Sequence, residues 1–529
     1  MEGFDETAHL SYIQQLALTG DWPGHGAPLS REVEDYATVA PTPYASVPPY
    51  DDNGHWTYHR FFAASGTVVE VARSRIKGGR TAPEEWPPGR AANWEAQHPP
   101  LYYLLLAPVL RWTAGWSLAG SLFLMRALSY GMAWAGLCVA SLSAWRHHRG
   151  GGRPWAALAP ALWPLVFPMW FPEMARLGND SAVCLLAALV LAILSGGGGV
   201  RAARSGLPAT MAPGRALAVG GLLGLGLLVK ATLFPMLAAV ILVVAALLFR
   251  HPDSEGHPLA VWRRLLPVVL MGGAAVAVGG WWYAAKYLET ANALGANDMI
   301  ALAEGGGLVK GLAERASPVL FLRGCLNIVQ SFLWAGTWSF VQPPSLTLVP
   351  FLLIGMGSVF AHGAGLIRTP SVAGWIGAVT ALLFAGGLVY HLAVFIAAYG
   401  VAGTPGWYLH GLAPVLATAL AALLAAAAGR PLFARPLGVL LLCPLAFLPA
   451  VAALEAVTYS GCVPKMASLN YPDLARAEAC MTDIGALAAR LDLLASPRPA
   501  AVLFLAGLAA SMAGLGLLIR LLLKPAASG

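Results

Sequence analysis

The chain has 529 residues, of which 57% are apolar and 11% are charged, and its mean hydropathy is +0.64. Soluble domains carry about 25% charged residues, so this composition excludes a soluble globular protein, a disulfide-rich secreted module and a disordered chain. A membrane-spanning helix uses about 20 apolar residues, and the length accommodates about ten of them with a sizeable part outside the bilayer. The net charge of +7 does not require nucleic acid as a partner, because membrane proteins concentrate Lys and Arg in cytoplasmic loops.

The first 100 residues differ from the rest of the chain in charge. They hold 13 of the 26 Asp and Glu but only 7 of the 33 Lys and Arg, which gives them a net charge of −6. They are also rich in Trp, Tyr, Phe and Pro, whereas disordered segments are poor in aromatic residues. We therefore predict an ordered domain outside the bilayer rather than a solvated tail.

A DExxH pattern that begins at Asp5 opens a predicted helix. On a helix Asp5, His9 and Tyr12 are spaced at i, i+4 and i+7 and share one face. Apolar residues populate another face, which predicts an amphipathic helix at a membrane surface. Two interpretations stay open. Either Asp5 is a general base, or Asp5 and Glu6 cap a surface helix, where the helix dipole favours carboxylates.

A second motif, HPPLYY at 98–103, ends the acidic segment. Its Pro-Pro pair stiffens the backbone ahead of an apolar, aromatic run over 101–110 that is too short to span a bilayer. The run is typical of the membrane interface, because Trp and Tyr prefer the headgroup level. Either it is only an entry anchor, or His98 faces a phosphate or an acceptor.

Apolar runs bounded by charges or by Gly and Pro clusters predict eleven transmembrane helices. A single helix over 216–249 would measure about 51 Å, too long for a hydrocarbon core of roughly 30 Å. We therefore predict two helices there, broken around Lys230. The eleven runs fall at about 121–145, 155–172, 180–195, 216–230, 232–249, 265–284, 344–361, 372–398, 407–428, 436–456 and 500–522.

Basic residues mark alternate loops, and the positive-inside rule places those loops in the cytoplasm. Because eleven is odd, we expect the N-terminal loop outside and the C-terminus in the cytoplasm. Cys462 and Cys480 share the last outside loop, where an oxidising compartment permits a disulfide, and the sequence leaves this pairing open. The predicted domains are the first loop with juxtamembrane helices (1–120), the bundle with the outside loop 285–343 (121–456), an outside loop with a short helix at 474–494 (457–499), and the last span with a cytoplasmic tail (500–529).

Charged residues near the outer ends of these helices are candidates for substrate binding, since charges in membrane segments are costly. Arg176, Lys230 and Lys286 could meet a lipid phosphate, whose developing charge needs cations. The alternatives are a snorkelling side chain for Lys230 and a structural ion pair between Glu173 and Arg176.

No metal or other cofactor is indicated. Asp51 and Asp52 could hold a divalent ion, but a solvated turn after Pro48-Pro49 is favoured. No Cys/His spacing suggests a zinc site.

The two motifs of the first loop resemble those of the GT-C glycosyltransferases, which include protein O-mannosyltransferases and lipid A aminoarabinose transferase. The variant HPPLYY is most similar to bacterial relatives of that superfamily. Three further segments resemble it less specifically: the polar turn at 173–180, LLVKATLFP around Lys230, and PGWYLHGLAP at 405–414, where Trp407 stands in place of an Arg.

The resemblance implies a polyprenyl-phosphate-linked sugar as donor and an envelope glycan, lipid or protein as acceptor. It implies that Asp5 is the catalytic or acceptor-orienting carboxylate, with Glu6 beside it. It also implies a helix before this pair, so we expect either that a first helix is missing or that the start is assigned too far downstream. The implied substrate-binding residues are His9, Tyr12, His98, Glu173, Arg176, Asn179, Asp180, Lys230 and Tyr408.

We therefore predict an all-α polytopic membrane enzyme, an inverting glycosyltransferase active on the outer face of a bacterial inner membrane. Two other classes of protein are alternatives. A transporter or flippase of lipid-linked glycan should show internal repeats with broken helices, and the sequence has no convincing repeat. A catalytically inactive assembly subunit would keep the fold without turnover.

Overall fold

The protein, as seen in a computed structural model, is built from helices, with two-stranded β-pairs as the only sheets in the described part. The described residues are 3–42, 56–79, 87–148, 157–195, 211–250, 258–337, 341–368, 370–428, 430–462, 465–466, 471–472 and 482–523.

The N-terminal part forms a layer of short helices joined by two β-pairs. The Ser30 hydroxyl accepts a hydrogen bond of 3.2 Å from the Val33 amide and starts the second helix. The first and last strands pair antiparallel, with Pro28 opposite Ala92, and this pairing brings the residues after Ala92 next to the first helix. The elements are α1 (Glu6–Thr19), β1 (Pro28–Ser30), α2 (Arg31–Val39), β2 (Pro41–Thr42), β3 (Trp56–Thr57), α3 (Tyr58–Ala63), α4 (Gly66–Lys77), β4 (Pro88–Ala92) and α5 (Leu101–Trp112).

Helix α1 is the buried centre of this layer. Every side chain from Glu6 to Gln14 is buried, and the helix packs against α5 and β1. The structure therefore places α1 inside the layer, whereas the sequence predicted a helix at a membrane surface. Its polar side chains can be buried because groups from distant segments pair with them.

Eighteen further α-helices, of 6 to 31 residues, follow in the described part of the chain. They are α6 (Leu118–His148), α7 (Leu158–Val166), α8 (Trp170–Ala175), α9 (Asp180–Ser195), α10 (Pro213–Leu227), α11 (Phe234–Arg250), α12 (Pro258–Ala275), α13 (Trp281–Thr290), α14 (Asn297–Glu304), α15 (Leu308–Arg315), α16 (Pro318–Leu333), α17 (Val349–Arg368), α18 (Val372–Tyr399), α19 (Ala413–Ala427), α20 (Pro431–Leu440), α21 (Cys443–Tyr459), α22 (Ile484–Leu494) and α23 (Pro497–Leu523). Two further strands, β5 (Lys465–Met466) and β6 (Tyr471–Pro472), form the third β-pair.

Eight helical segments of the described chain are long and apolar enough to cross a membrane, which makes this a multi-pass membrane protein. The helices α15 and α16 meet at an angle of 106° and would add a ninth as one broken span. The eight segments are Leu118–Arg146, Ala231–Leu248, Leu265–Thr290, Ser345–Arg368, Val372–Tyr399, Trp407–Ala427, Leu432–Tyr459 and Arg498–Leu517.

Three of the eleven predicted spans are shorter than a bilayer requires. Helices α9 and α10 match the runs at 180–195 and 216–230, but they have only 16 and 15 residues, below the roughly 20 of a typical span. The run at 155–172 is broken into α7 and α8, with Pro168 between them. The predicted count of eleven is therefore not confirmed.

Helix α10 approaches α12 closely through glycines. A Cβ on Gly220 would lie 2.2 Å from the carbonyl oxygen of Met271, and one on Gly224 would lie 2.8 Å from that of Ala275. Small residues allow such backbone contact between apolar helices. This packing holds the end of α10, after which Lys230 follows.

In the loop before the last span, α22 covers the second half of the helix predicted at 474–494, and 473–481 lie beyond the described part. Cys462 is disulfide-bonded, and Cys480, the partner considered above, is not among the described residues.

Candidate active site

Asp5 stands at the start of α1 in a left-handed backbone conformation, with φ of 59°. This conformation costs a non-glycine residue roughly 1–2 kcal/mol, and Asp is one of the residues that tolerate it. The carboxylate does not cap α1, because its Oδ1 accepts a hydrogen bond of 2.8 Å from the indole Nε1 of Trp94. Burial, helped by Glu95, raises the pKa of Asp5 to about 6, while Arg176 and Trp94 hold it down. A carboxylate with this pKa is suited to accept a proton near neutral pH.

The second motif lies directly against the first. Nδ1 of His9 lies 2.8 Å from the Tyr103 hydroxyl and 3.6 Å from Oε2 of Glu95. That Glu95 oxygen is also 2.8 Å from Nε2 of His98. The ring of Tyr12 stacks on Tyr103 at 3.7 Å, and its hydroxyl donates to the His98 carbonyl at 3.2 Å. The two motifs, far apart in sequence, therefore form one interlocked cluster.

The protonation states in this part of the cluster follow from burial and from neighbouring charges. Burial lowers the pKa of His9 and Arg176 acts in the same direction, against the opposing effect of Glu95, so this pKa falls to about 3 and the imidazole is neutral. Burial raises the pKa of Glu95, but the interaction with His98 outweighs it and holds that pKa below the usual range. Glu95 is therefore a fixed carboxylate that orients both histidines.

Arg176 links the DExxH segment to the turn before α9. It contacts Oε1 of Glu173 at 2.6 Å and Oδ2 of Asp180 at 3.1 Å through Nη2. Its Nη1 donates to the Phe4 carbonyl at 2.5 Å and lies 3.5 Å from Nε2 of His9, and its Nε donates to the second oxygen of Glu173 at 3.0 Å. Each nitrogen of the guanidinium thus already has a partner, and the ion pair between Glu173 and Arg176 that the sequence left open is present.

The ammonium group of Lys230 has N–H donors that its contacts in the structure do not use. Its ammonium lies 2.6 Å from Oδ2 of Asp180 and 4.6 Å from the ring centroid of Tyr408. The side chain is 5% exposed, which contradicts the snorkelling interpretation. An ammonium carries three N–H donors, and the pair with Asp180 uses one of them. Of the two cations that contact Asp180, Lys230 is therefore the one with donors left for a further anion.

Several buried polar atoms beside these cations lack a hydrogen-bond partner in the described part of the chain. They are Oδ1 of Asn179, Oδ1 of Asp180 and the indole Nε1 of Trp407. The Trp407 ring stacks on Phe4 at 4.0 Å, and the Asn179 amide donates to the carbonyl of Val229 at 3.3 Å. Buried polar groups are almost always paired, so these atoms are candidates for contacts with a polar ligand.

Glu6 contacts groups other than those of the Asp5 cluster. It is fully buried and pairs with Arg126 of α6 through both oxygens, with 2.5 Å between Nε and Oε1. It also accepts from the Leu177 amide at 2.9 Å and from the Gly3 amide at 3.2 Å. Although burial opposes ionisation, Arg126 lowers the pKa of Glu6 to about 2. Glu6 therefore fastens α1 to α6 and to the turn before α9.

The structure brings all nine predicted substrate-binding residues into one connected group with Asp5. Lys286 instead pairs with Glu289 at 2.8 Å and lies over Trp282. The sequence interpretation missed the roles of Trp94, Tyr103 and Arg126. The signals were present, because the two aromatic residues lie within or just before the HPPLYY segment and Arg126 is a charge inside an apolar run.

A metal finds no support in the described part of the chain. It contains no group of three or more His, Cys, Asp or Glu side chains placed to hold an ion. Asp51 and Asp52, the pair considered above, lie outside the described residues.

The sequence matches no protein-family model and no curated protein. The structure is similar to ArnT from Cupriavidus metallidurans in the apo state, at 16% identity and a TM-score of 0.42 over 98% of this chain and 75% of that chain. It is similar to the same protein bound to undecaprenyl phosphate, at 15% identity and a TM-score of 0.41 over 96% of this chain and 76% of that chain. It is also similar to an oligosaccharyltransferase from Archaeoglobus fulgidus in the apo form, at 14% identity and a TM-score of 0.34 over 87% of this chain and 55% of that chain. Both proteins belong to the GT-C superfamily, which the first-loop motifs resemble.

Proposed function

We propose that this protein transfers a sugar from a polyprenyl-phosphate-linked donor to an acceptor on the extracytoplasmic face of a bacterial inner membrane. The acceptor hydroxyl oxygen attacks the anomeric carbon while the bond from that carbon to the phosphate oxygen breaks. Polyprenyl phosphate leaves with the electron pair, and Asp5 takes the acceptor proton. The sugar configuration inverts because a single displacement occurs.

The observation that carries this proposal is the placement of Asp5. It is a buried carboxylate in a left-handed conformation, oriented by Trp94, with a pKa raised to about 6. Strained, oriented groups of this kind cluster at functional sites. A general base contributes about 10²–10⁴-fold to a rate when its pKa lies near the working pH.

The donor phosphate belongs beside Lys230. Arg176 has a partner at each nitrogen, whereas Lys230 has N–H donors beyond the one that Asp180 accepts. A phosphate there would also lie near the unpartnered oxygen of Asn179 and the indole of Trp407, which suit sugar hydroxyl groups. Arg176 then has an indirect role, because it positions Asp180 and the main chain at Phe4 without contacting the phosphate.

The remaining predicted residues position this machinery. Glu95 fixes His9 and His98 beside Asp5, and the Tyr12 hydroxyl holds the main chain of the second motif. Glu6 anchors the helix that begins at Asp5. We therefore propose Asp5 alone as the base and Glu6 as a positioning residue.

The test measures sugar transfer from a mixture of radiolabelled polyprenyl-phosphate sugars by protein reconstituted in liposomes. We expect Asp5→Asn to lower transfer by about 10²–10⁴-fold with an unchanged thermal unfolding profile in detergent. Asp21→Asn, an exposed residue just after the same helix, is the matched control and should transfer normally. Transfer by Asp5→Asn within twofold of the wild type would contradict the proposal. Movement of the labelled lipid across the bilayer without transfer would instead favour a flippase.

A further inference from the structure

A second polar site lies on the other side of α1. A half-open cavity of about 530 Å³ is lined by α1, α2, α4 and the end of α5. Gln14 and Leu18 of α1 line it, and at 3.6 residues per turn they lie on the face of the helix opposite Asp5 and His9. Helix α1 therefore separates this cavity from the candidate active site.

The lining is amphipathic. Eight of its sixteen residues are apolar, and three others are arginines from three different elements: Arg31 of α2, Arg75 of α4 and Arg111 of α5. Glu32 and Asp35 also line the cavity, so its formal charge is +1. Arg111 donates through Nε to the Ala17 carbonyl at 2.6 Å, which leaves its two terminal nitrogens for another acceptor.

Exposed apolar side chains lie on α5, one of the helices that line the cavity, and in the turn after it. Leu105 and Trp112 of α5 are 53% and 71% exposed, and Trp116 in the following turn is 44% exposed. Trp side chains prefer the headgroup level of a bilayer. Arg111 directly precedes Trp112 in α5.

We propose that this cavity binds an anionic glycerophospholipid of the surrounding membrane. The arginines hold the phosphate, since a guanidinium fork matches phosphate oxygens, and the apolar half of the lining receives the first part of the acyl chains. A soluble anion would gain nothing from the apolar half, and a zwitterionic lipid would leave the net positive charge uncompensated. A polyprenyl-phosphate donor bound here would be cut off from Asp5 by α1. The bound lipid thus fastens α2 and α4 to α5 at the membrane surface.

The test measures lipid binding to the purified full-length protein in a neutral detergent, by native mass spectrometry. The probes are phosphatidylglycerol, phosphatidylcholine, undecaprenyl phosphate and inorganic phosphate. We expect wild-type protein to retain phosphatidylglycerol about tenfold better than phosphatidylcholine, and Arg75→Gln to lower that affinity about tenfold. Arg75 is exposed and forms no ion pair within the described residues, so this variant should fold. Arg73→Gln is the matched control, because Arg73 lies on the same helix in an exposed pair with Glu70 and does not line the cavity.

Four results would overturn the proposal. They are equal retention of the two phospholipids, an equal loss in Arg73→Gln, tight binding of inorganic phosphate alone, or displacement of phosphatidylglycerol by undecaprenyl phosphate in an Arg75-dependent manner. Because the readout is binding, failure of the proposed transfer reaction leaves this test intact. As a second variant, Ala114→Phe should fill the apolar half and lower phospholipid retention without removing a charge.

Discussion

Replacement of Lys230 by Met tests the two roles that we propose for this lysine, one in stability and one in donor binding. Breaking a buried ion pair by removing one partner costs about 3–5 kcal/mol. Here Arg176 stays 3.1 Å from the same Asp180 oxygen, so we expect the lower end, about 3 kcal/mol. The donor phosphate would lose at least one charge-assisted hydrogen bond, worth about 1.5–3 kcal/mol, or roughly 10–100-fold in affinity.

The double variant Lys230→Met/Asp180→Asn distinguishes these effects. It removes the stranded carboxylate, so the free energy of unfolding should return to within about 1 kcal/mol of the wild type. Donor affinity should remain 10–100-fold lower, because the ammonium is still absent. The assays are thermal unfolding in detergent and equilibrium binding of undecaprenyl phosphate.

Lys286→Met is the matched control. Lys286 is also buried and lies 5.0 Å from the ring of Trp282. Its partner Glu289, 2.8 Å away, is 36% exposed, whereas the partner of Lys230, Asp180, is 1% exposed, so we expect a smaller loss of stability than in Lys230→Met. Lys286→Met should keep donor affinity. If the double variant binds undecaprenyl phosphate as tightly as the wild type does, the assignment of Lys230 to the phosphate is wrong.

Three further predictions concern the first loop and the bundle. Trp94→Phe removes the hydrogen bond that lowers the pKa of Asp5, so the acid limb of the pH profile of transfer should move from about 6 to higher pH and kcat should fall. Arg126→Met strands Glu6 and should cost about 3–5 kcal/mol at neutral pH. The folded pKa of Glu6 is lowered to about 2, so its ion pair with Arg126 stabilises the wild-type fold fully above the ordinary pKa of 4.5 and ceases to do so toward pH 2. The difference in unfolding temperature between the wild type and Arg126→Met should therefore become smaller as the pH falls from 4.5 to 2. Gly220→Val places atoms against the α12 backbone and should lower the yield of folded protein in detergent, whereas Gly221→Val, with open space around it, should not.

The short helices α9 and α10 show why the predicted span count differs from the structure. Hydropathy marks an apolar run but does not tell a full crossing from a shorter helix buried among its neighbours. In the structure both helices pack against other helices, and α9 begins at Asp180 inside the charged cluster. Its first turn therefore belongs to that cluster.

The choice of Asp5 over Glu6 as the proposed base also required the structure. The two carboxyls are adjacent in sequence and carry the same chemistry. Their partners decide the difference: Glu6 meets Arg126, 120 residues away, and Asp5 meets Trp94, 89 residues away. Neither pairing can be predicted from the spacing of nearby residues in the sequence.

The sequence by itself determined the properties that depend on local composition. It determined a multi-pass membrane protein, an acidic and aromatic first segment, eight of the spans, and the residues from which the candidate site is built. The tertiary structure alone decided which carboxyl has a left-handed backbone and a raised pKa, which cation keeps N–H donors free, and that an amphipathic cavity of about 530 Å³ lies behind α1. Burial and ion pairing join residues that are distant along the chain, and their energies depend on distance in space.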